Sequence, residues 1–367
     1  MKLALAALIA AGSISTAASG TVEPRRVHST LENATAGQNA RFREAFDAVK
    51  KWIGEGAFPG ATLAIGQHGS LIALKAFGRT EYGADSPPMR TGEIFDLASI
   101  SKVIGTTSAA AILYQRKKLL LDAPVVKYVP EFAGTPEHDQ VTIRELLTHS
   151  SGIPTPGLMY KKAADKQGIL KQIYTVPLAT PPGKHFKYRD PNFILLGDAI
   201  ERISGQPLNV FLQANVFGPL GMTSTEYRPS AELRGRIAPT EFDRILRHRV
   251  VQGEVHDENC YTMGGVCGHA GLFSSARDLA VYAQMILNGG TYGHRRILKK
   301  RTVELFTSRQ NLPPGSSRAL GWDTPAPASF AGDLASPHAV LHTGFTGGSV
   351  YIDFDRDAFI ILLTNRV

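Results

Sequence analysis

The chain has 367 residues, 43% hydrophobic and 20% charged, which excludes wholesale disorder and allows a sizeable buried core. Forty Lys and Arg against 32 Asp and Glu give a formal charge of +8. The basic residues lie in short clusters (Arg116-Lys117-Lys118, Arg244 to Arg249, Lys299-Lys300-Arg301), a pattern that fits a solvated surface in an anionic cell envelope better than a nucleic-acid face.

The first residues read as a secretion signal over 1–20. Lys2 opens it, Leu3 to Ala11 is an unbroken apolar run, and Thr16-Ala17-Ala18-Ser19 offers small residues for cleavage. The run is shorter than the ~20 residues a membrane span needs, and no Cys follows it as a lipid anchor. A secreted or periplasmic bacterial protein is expected, with no stable membrane span after signal removal. Residues 21–39 are polar and without periodicity and read as a flexible tether. Phe42, Phe46, Val49 and Ile53 recur at helical spacing. Ala61 to Ile65 and Leu71 to Phe77 are β-prone runs around Gln67-His68-Gly69-Ser70, a hairpin pattern. From Ser99 to about Leu120 there is no Pro, and small and apolar residues occupy nearly every side over Thr106 to Leu113, as in a buried helix.

The middle of the chain alternates helical stretches with Pro- and Gly-rich loops. Val141 to Leu147 starts one helix; Asn192 to Ile203 is another, stopped by Gly205 and Pro207. Ser275-Ala276-Arg277-Asp278 is a capping box for a helix running to Leu287. Cys260 and Cys267 suit either a small loop disulfide or two buried thiols. Strands return at Ser349 to Phe354 and Phe359 to Thr364, around a turn at Asp355-Arg356-Asp357. The expected fold class is α/β plus all-α: an antiparallel sheet built from N- and C-terminal segments, flanked by helices, with a helical insertion domain. Within a single domain over 40–367, the α/β part takes about 40–98 and 295–367 and the helical part about 99–294. The active site is expected at their seam.

Ser99-Ile100-Ser101-Lys102 is the only S-x-x-K in the chain. Residues three apart share a helix face, so hydroxyl and amine can touch. A serine hydroxyl needs a base to take its proton, and a lysine serves only if its pKa falls from ~10.4 towards neutrality, through desolvation or a nearby positive charge. G-x-S-x-G, H-E-x-x-H and Walker A patterns are absent.

Two further segments follow in order. Tyr188-Arg189-Asp190 precedes the helix containing Leu195-Leu196-Gly197, and His342-Thr343-Gly344-Phe345 precedes the penultimate strand. With Thr142 to Pro154, Leu121-Asp122, Tyr128-Val129-Pro130 and Gly271 to Ala280, the chain from about residue 40 onward resembles the serine β-lactamase and penicillin-binding-protein superfamily, in its class C-like branch of esterases and D-peptidases.

That resemblance implies a β-lactamase/transpeptidase-like fold, no metal and no organic cofactor. It makes Ser99 the nucleophile, Lys102 the base and Tyr188 a proton shuttle, with the N–H groups of Ser99 and Phe345 as the oxyanion hole. His342, Thr343 and Gly344, with Asp190, would line the substrate side of the cleft. Asp190 stands where many β-lactamases carry Asn and cannot donate a hydrogen bond when ionised. His342 replaces the Lys of K-T-G and would bring positive charge only if protonated. Both departures suit esters or D-peptides, including peptidoglycan stem peptides, better than β-lactams. A weak β-lactamase and a non-catalytic cell-wall peptide-binding module are the alternatives.

The stretch Val255-His256-Asp257-Glu258-Asn259 with Gly264 to Phe273 resembles a subgroup of these hydrolases. It puts His256, Asp257 and His269 either at the cleft rim, touching substrate or a metal, or in a loop tied down by hydrogen bonds. His149 reads as structural. The chain ends just after its last strand, where relatives continue into a helix, and this reads as a truncation that leaves one sheet face uncovered.

Overall fold

The structure is a computed structural model that describes residues 30–327 and 329–367. The expected signal over 1–20 and the start of the tether lie outside the described residues.

Helix Arg43–Gly54 forms where the apolar spacing predicts it, and buries Phe46 and Val49 against the sheet. Strands Gly60–Gln67 and Ser70–Gly78 make the hairpin. Its turn residues His68 and Gly69 both take positive φ, 49° and 77°, the conformation that such tight turns demand. A six-stranded sheet orders the segments 32–33, 70–78, 60–67, 358–364, 349–353 and 339–343. The last strand of the chain joins the first hairpin: Ala358–Thr364 pairs antiparallel with Gly60–Gln67, Leu363 opposite Thr62 and Ile360 opposite Ile65. The two chain ends thus share one sheet, as the sequence pattern implies.

Two local differences have simple causes. Glu32–Asn33, inside the stretch read as tether, forms a short parallel strand, because the open edge of Ser70–Gly78 offers backbone partners: the N–H of Glu32 donates to Gly69 O and that of Ala34 to Leu71 O, both at 2.9 Å. The buried helix ends at Gln115, not near Leu120. The run Arg116-Lys117-Lys118 cannot continue a helix that is apolar all round, and Lys117 adopts a left-handed φ of 58°.

That helix begins irregularly. Ala98–Ile100 is a 3₁₀ turn, Lys102–Thr107 is π-helical and Ser108–Gln115 is α. Wide turns of this kind occur mostly at functional sites. Just upstream, Ile94–Asp96 pairs with Leu272–Ser275, which in turn pairs with Glu226–Tyr227. This small sheet ties the Ser99 segment to the chain around residue 270.

The remaining predicted helices appear with their caps. Thr142 and Glu145 form a reciprocal capping box at Ile143–Leu147, and Asp190–Ser204 closes on Gly205 at φ 68°. Ser275 Oγ accepts the Asp278 N–H at 3.2 Å to start Ala276–Leu287. The Asp278 carboxylate turns instead to the Ser224 N–H and the Thr225 hydroxyl, each at 2.8 Å.

Candidate active site

The turn before Ser99 is strained and held. Ala98 has φ of 46°, a conformation that costs a non-glycine residue about 1–2 kcal/mol. The buried Asp96 carboxylate accepts its N–H at 2.9 Å and, through its second oxygen, the His256 N–H at 2.8 Å. Burial pushes the Asp96 carboxyl up to about 6, against the pull of these two hydrogen bonds.

Lys102 is fully buried and its Nζ meets three oxygens: Ser99 Oγ at 2.8 Å, the His269 carbonyl at 3.0 Å and Asp190 Oδ1 at 2.8 Å. The Tyr188 ring lies close to the same group, its centroid 5.0 Å from Nζ. Burial drives the lysine pKa down, but the Asp190 charge and Tyr188 outweigh it, so the net shift is upward. The condition for base chemistry, a lowered lysine pKa, is therefore not met by this resting arrangement. Desolvation is present, and a carboxylate from the start of another helix reverses its effect.

Tyr188 lies over His149, centroids 4.4 Å apart. His149 has φ of 56°, and its Nδ1 accepts the Arg189 N–H at 3.3 Å. Burial, with Arg318 and Lys102 nearby, holds its imidazole well below the usual range, hence neutral. It is structural, as its sequence context suggests, and its particular task is to floor the tyrosine.

Ser99, Tyr188, His342, Thr343, Gly344 and Phe345 line one cavity of about 440 Å³, together with Arg318, Asp323, Phe186 and Phe330. Arg318 is the residue that motif reasoning missed. It sits in the long irregular segment 308–338, whose only marker was basic charge. Arg318 is 5% exposed; its guanidinium faces Phe186 and Tyr188 at 5.5 and 6.0 Å, donates to Gly321 O at 3.2 Å and leaves Nε unpartnered. Asp323 is its nearest carboxylate, at 3.7 Å. The segment reaches the cleft through Gly321, with φ of 83°, where a Cβ would stand 2.1 Å from Thr107 Oγ1.

His342 Nδ1–H donates to Thr343 O at 2.8 Å, and its Nε2 is buried without a partner. Burial, then Arg318 and Lys102, push its pKa well down. The prospect of a protonated His342 supplying positive charge is thus corrected: the charge in this cavity belongs to Arg318.

His256 and Asp257 are not among the residues lining the cavity. His256 bonds Thr240 Oγ1 at 2.7 Å and meets the edge of Phe345. Asp257 Oδ1 accepts from His269 Nε2 at 2.9 Å and the Cys260 N–H at 2.7 Å. The rim placement is revised to the hydrogen-bonded loop, since His256 is tied to Thr240 and Asp257 to His269, whose carbonyl meets the lysine. Cys260 and Cys267 are joined as a disulfide across this loop. No group of three or more His, Cys, Asp or Glu among the described residues is arranged to hold a metal ion. None of the described helices is long and apolar enough to cross a membrane.

Comparisons with known proteins agree with this geometry. The Beta-lactamase family matches residues 37–367. A protein of Escherichia coli strain K12 with the provisional name D-alanyl-D-alanine carboxypeptidase is 33% identical over 362 residues, covering 88% of this chain and 82% of its own. An N-acetylmuramyl-L-alanine amidase of Bacillus subtilis strain 168 is 32% identical, covering 95% and 86%. Among solved structures, a penicillin-binding-protein homologue from Caulobacter crescentus superposes with a TM-score of 0.73 at 19% identity, covering 91% and 93%. A family VIII carboxylesterase gives 0.73 at 20%, covering 90% and 92%. The chain belongs to the Beta-lactamase family of serine hydrolases.

Proposed function

We propose that this hydrolase forms an acyl-enzyme at Ser99 and preferentially cleaves D-amino-acid peptides that end in a free carboxylate, with peptidoglycan stem peptides as its natural substrates in the cell envelope. The observation that carries this reading is a single cavity lined by both Ser99, whose Oγ meets Lys102 Nζ at 2.8 Å, and Arg318, the cation that could receive a carboxylate there. A guanidinium binds a carboxylate through paired, charge-assisted hydrogen bonds. A terminal carboxylate held by Arg318 would lie in the same cavity as Ser99.

In the reacting form Lys102 is neutral. Ser99 Oγ bonds to the carbonyl carbon while its proton passes to Lys102 Nζ, and the carbonyl oxygen takes the negative charge between the Ser99 and Phe345 N–H groups. Collapse breaks the scissile bond, and the proton moves by way of Tyr188 to the departing amine. Water then attacks the ester, gives a proton back along the same path and frees Ser99. Thr343 and Gly344 form the cleft wall beside His342. Names among the relatives support a peptide substrate, in particular that of the Escherichia coli protein.

Ester hydrolysis is the second reading, favoured by the exposed aromatic rim of Phe186, Phe330 and Phe345, which would accept an apolar acyl or alcohol group. A weak β-lactamase activity remains a third outcome, because Asp190 lacks the amide donor of Asn. The test is a panel of a D-Ala-D-Ala peptide, its C-terminal amide, a nitrophenyl ester and a chromogenic cephalosporin, with a fluorophosphonate probe. Turnover of the free peptide well above its amide, lost in Ser99→Ala, is expected. Equal turnover of both would remove the carboxylate reading, and absence of labelling and turnover would leave a binding module.

A further inference from the structure

Lys102 is gripped from behind by a loop none of whose residues lines the cavity that holds Ser99. The loop runs from His256 to Gly271 and is stapled by the Cys260–Cys267 disulfide. Asp257 caps helix Glu258–Thr262 through the Cys260 N–H and, with the same oxygen, takes the hydrogen of His269 Nε2. His269 is 1% exposed, and its main-chain carbonyl receives a Lys102 N–H. One residue earlier, Gly268 O accepts from Thr106 Oγ1 at 2.6 Å. A Cβ on Gly268 would stand 1.9 Å from Phe193 O, so the strand of loop lies directly on the helix that carries Asp190. The loop has no slack at the point where it meets the lysine.

The chemistry of the partners gives this contact a consequence. A neutral amine has two N–H bonds and one lone pair. The His269 carbonyl and the Asp190 carboxylate can only accept, so each retains an N–H. The lone pair is then directed to the hydroxyls of Ser99 and Tyr188, which can donate.

We propose that Asp257 and His269, locked together by the Cys260–Cys267 disulfide, are positioning residues for Lys102, aiming its lone pair at Ser99 by fixing the His269 carbonyl. This rests on the reading of Lys102 as the base for Ser99. It makes acylation depend on an intact disulfide while substrate binding does not. The groups that bear on the charge of Lys102 are Asp190 and Tyr188 on the substrate side, Asp257 and His269 in this loop, and the imidazoles of His149 and His342.

The experiment compares Cys260→Ser/Cys267→Ser, Asp257→Asn, His269→Ala and His269→Gln with the parent protein, using nitrophenyl ester turnover, KM, the pH profile and thermal melting. The double serine variant and His269→Ala are expected to lose about tenfold or more in kcat with KM within about twofold, as small misplacements of reacting groups do. His269→Gln keeps a donor for Asp257 and should recover most of the loss. Asp257→Asn should move the acid limb of the profile to lower pH, since one carboxylate near the ammonium is gone. Folded variants with the parent's kcat and an unmoved limb would overturn the proposal, as would losses in which KM and kcat change together without recovery by Gln. Should the serine pair not fold, the Asp257 and His269 series decides. Ser99→Ala run alongside separates the two levels: activity surviving there defeats the nucleophile assignment itself.

Discussion

Lys102 and Asp190 form an ion pair of 2.8 Å in which the lysine is fully buried and the carboxylate stays about a third exposed. The pair explains how an ammonium persists in an apolar helix, and it also opposes the chemistry, because the carboxylate favours the protonated lysine.

Replacing Asp190 by Asn should therefore shift the acid limb of kcat/KM to lower pH. With the charge removed, burial dominates and the Lys102 pKa falls. More enzyme then holds the neutral amine at a given pH. A pH–rate profile measures it; an unmoved limb would mean that Lys102 does not titrate in the rate-determining step.

Lys102→Ala should lower acylation by about 10² to 10⁴-fold, the usual worth of a positioned base. Circular dichroism and melting should stay near the parent, since Asp190 can rehydrate at the cavity edge. Near-normal labelling by a fluorophosphonate would contradict the role.

Arg318→Lys should raise KM for peptides with a free C-terminal carboxylate by about 10- to 100-fold, matching ~1.5–3 kcal/mol for hydrogen bonds to a charged group. The nitrophenyl ester, which has no carboxylate, should keep its KM. Parallel increases for both substrates would mean a change of shape and not a lost anchor.

Asp96→Asn should cut kcat at neutral pH by about tenfold, because an amide can accept only one of the Ala98 and His256 N–H groups and sets a donor against the other. Stability follows a separate course. The Asp96 carboxyl is raised from 3.8 to about 6 in the fold, so the folded state binds its proton more tightly than the unfolded chain. The contribution of this group to stability is fully present below its ordinary value and is lost as pH rises through about 6. Denaturant titrations between pH 4 and 7 should show the parent losing stability relative to the variant as pH rises over that window, and a constant difference would reject the raised pKa.

Gly321→Ala should destabilise the protein by about 2–4 kcal/mol, from the positive φ and the overlap with Thr107. Equilibrium unfolding checks this; a loss below about 0.5 kcal/mol would mean that the 308–338 segment relaxes freely.

Much of the molecule could be read from local pattern. The hairpin at His68-Gly69, the capping box at Thr142 and Glu145, and the S-x-x-K pair all depend on residues within a few positions of each other, where spacing fixes which groups can meet. Family resemblance then ordered Ser99, Lys102 and Tyr188. Arg318 and Asp96 escaped because neither sits in a motif, and their importance comes only from what folds against them.

Local sequence determined the elements, the Ser99–Lys102 contact and the order of the motifs, because those follow from backbone periodicity and short-range sterics. Tertiary structure decided the charges. Whether a lysine is neutral, a histidine protonated or a loop carboxylate faces substrate depends on the sum of desolvation and through-space partners from segments far apart in the chain. Here Asp190 raises the lysine, burial beside Arg318 discharges His342, and Asp257 turns away from the cleft to His269.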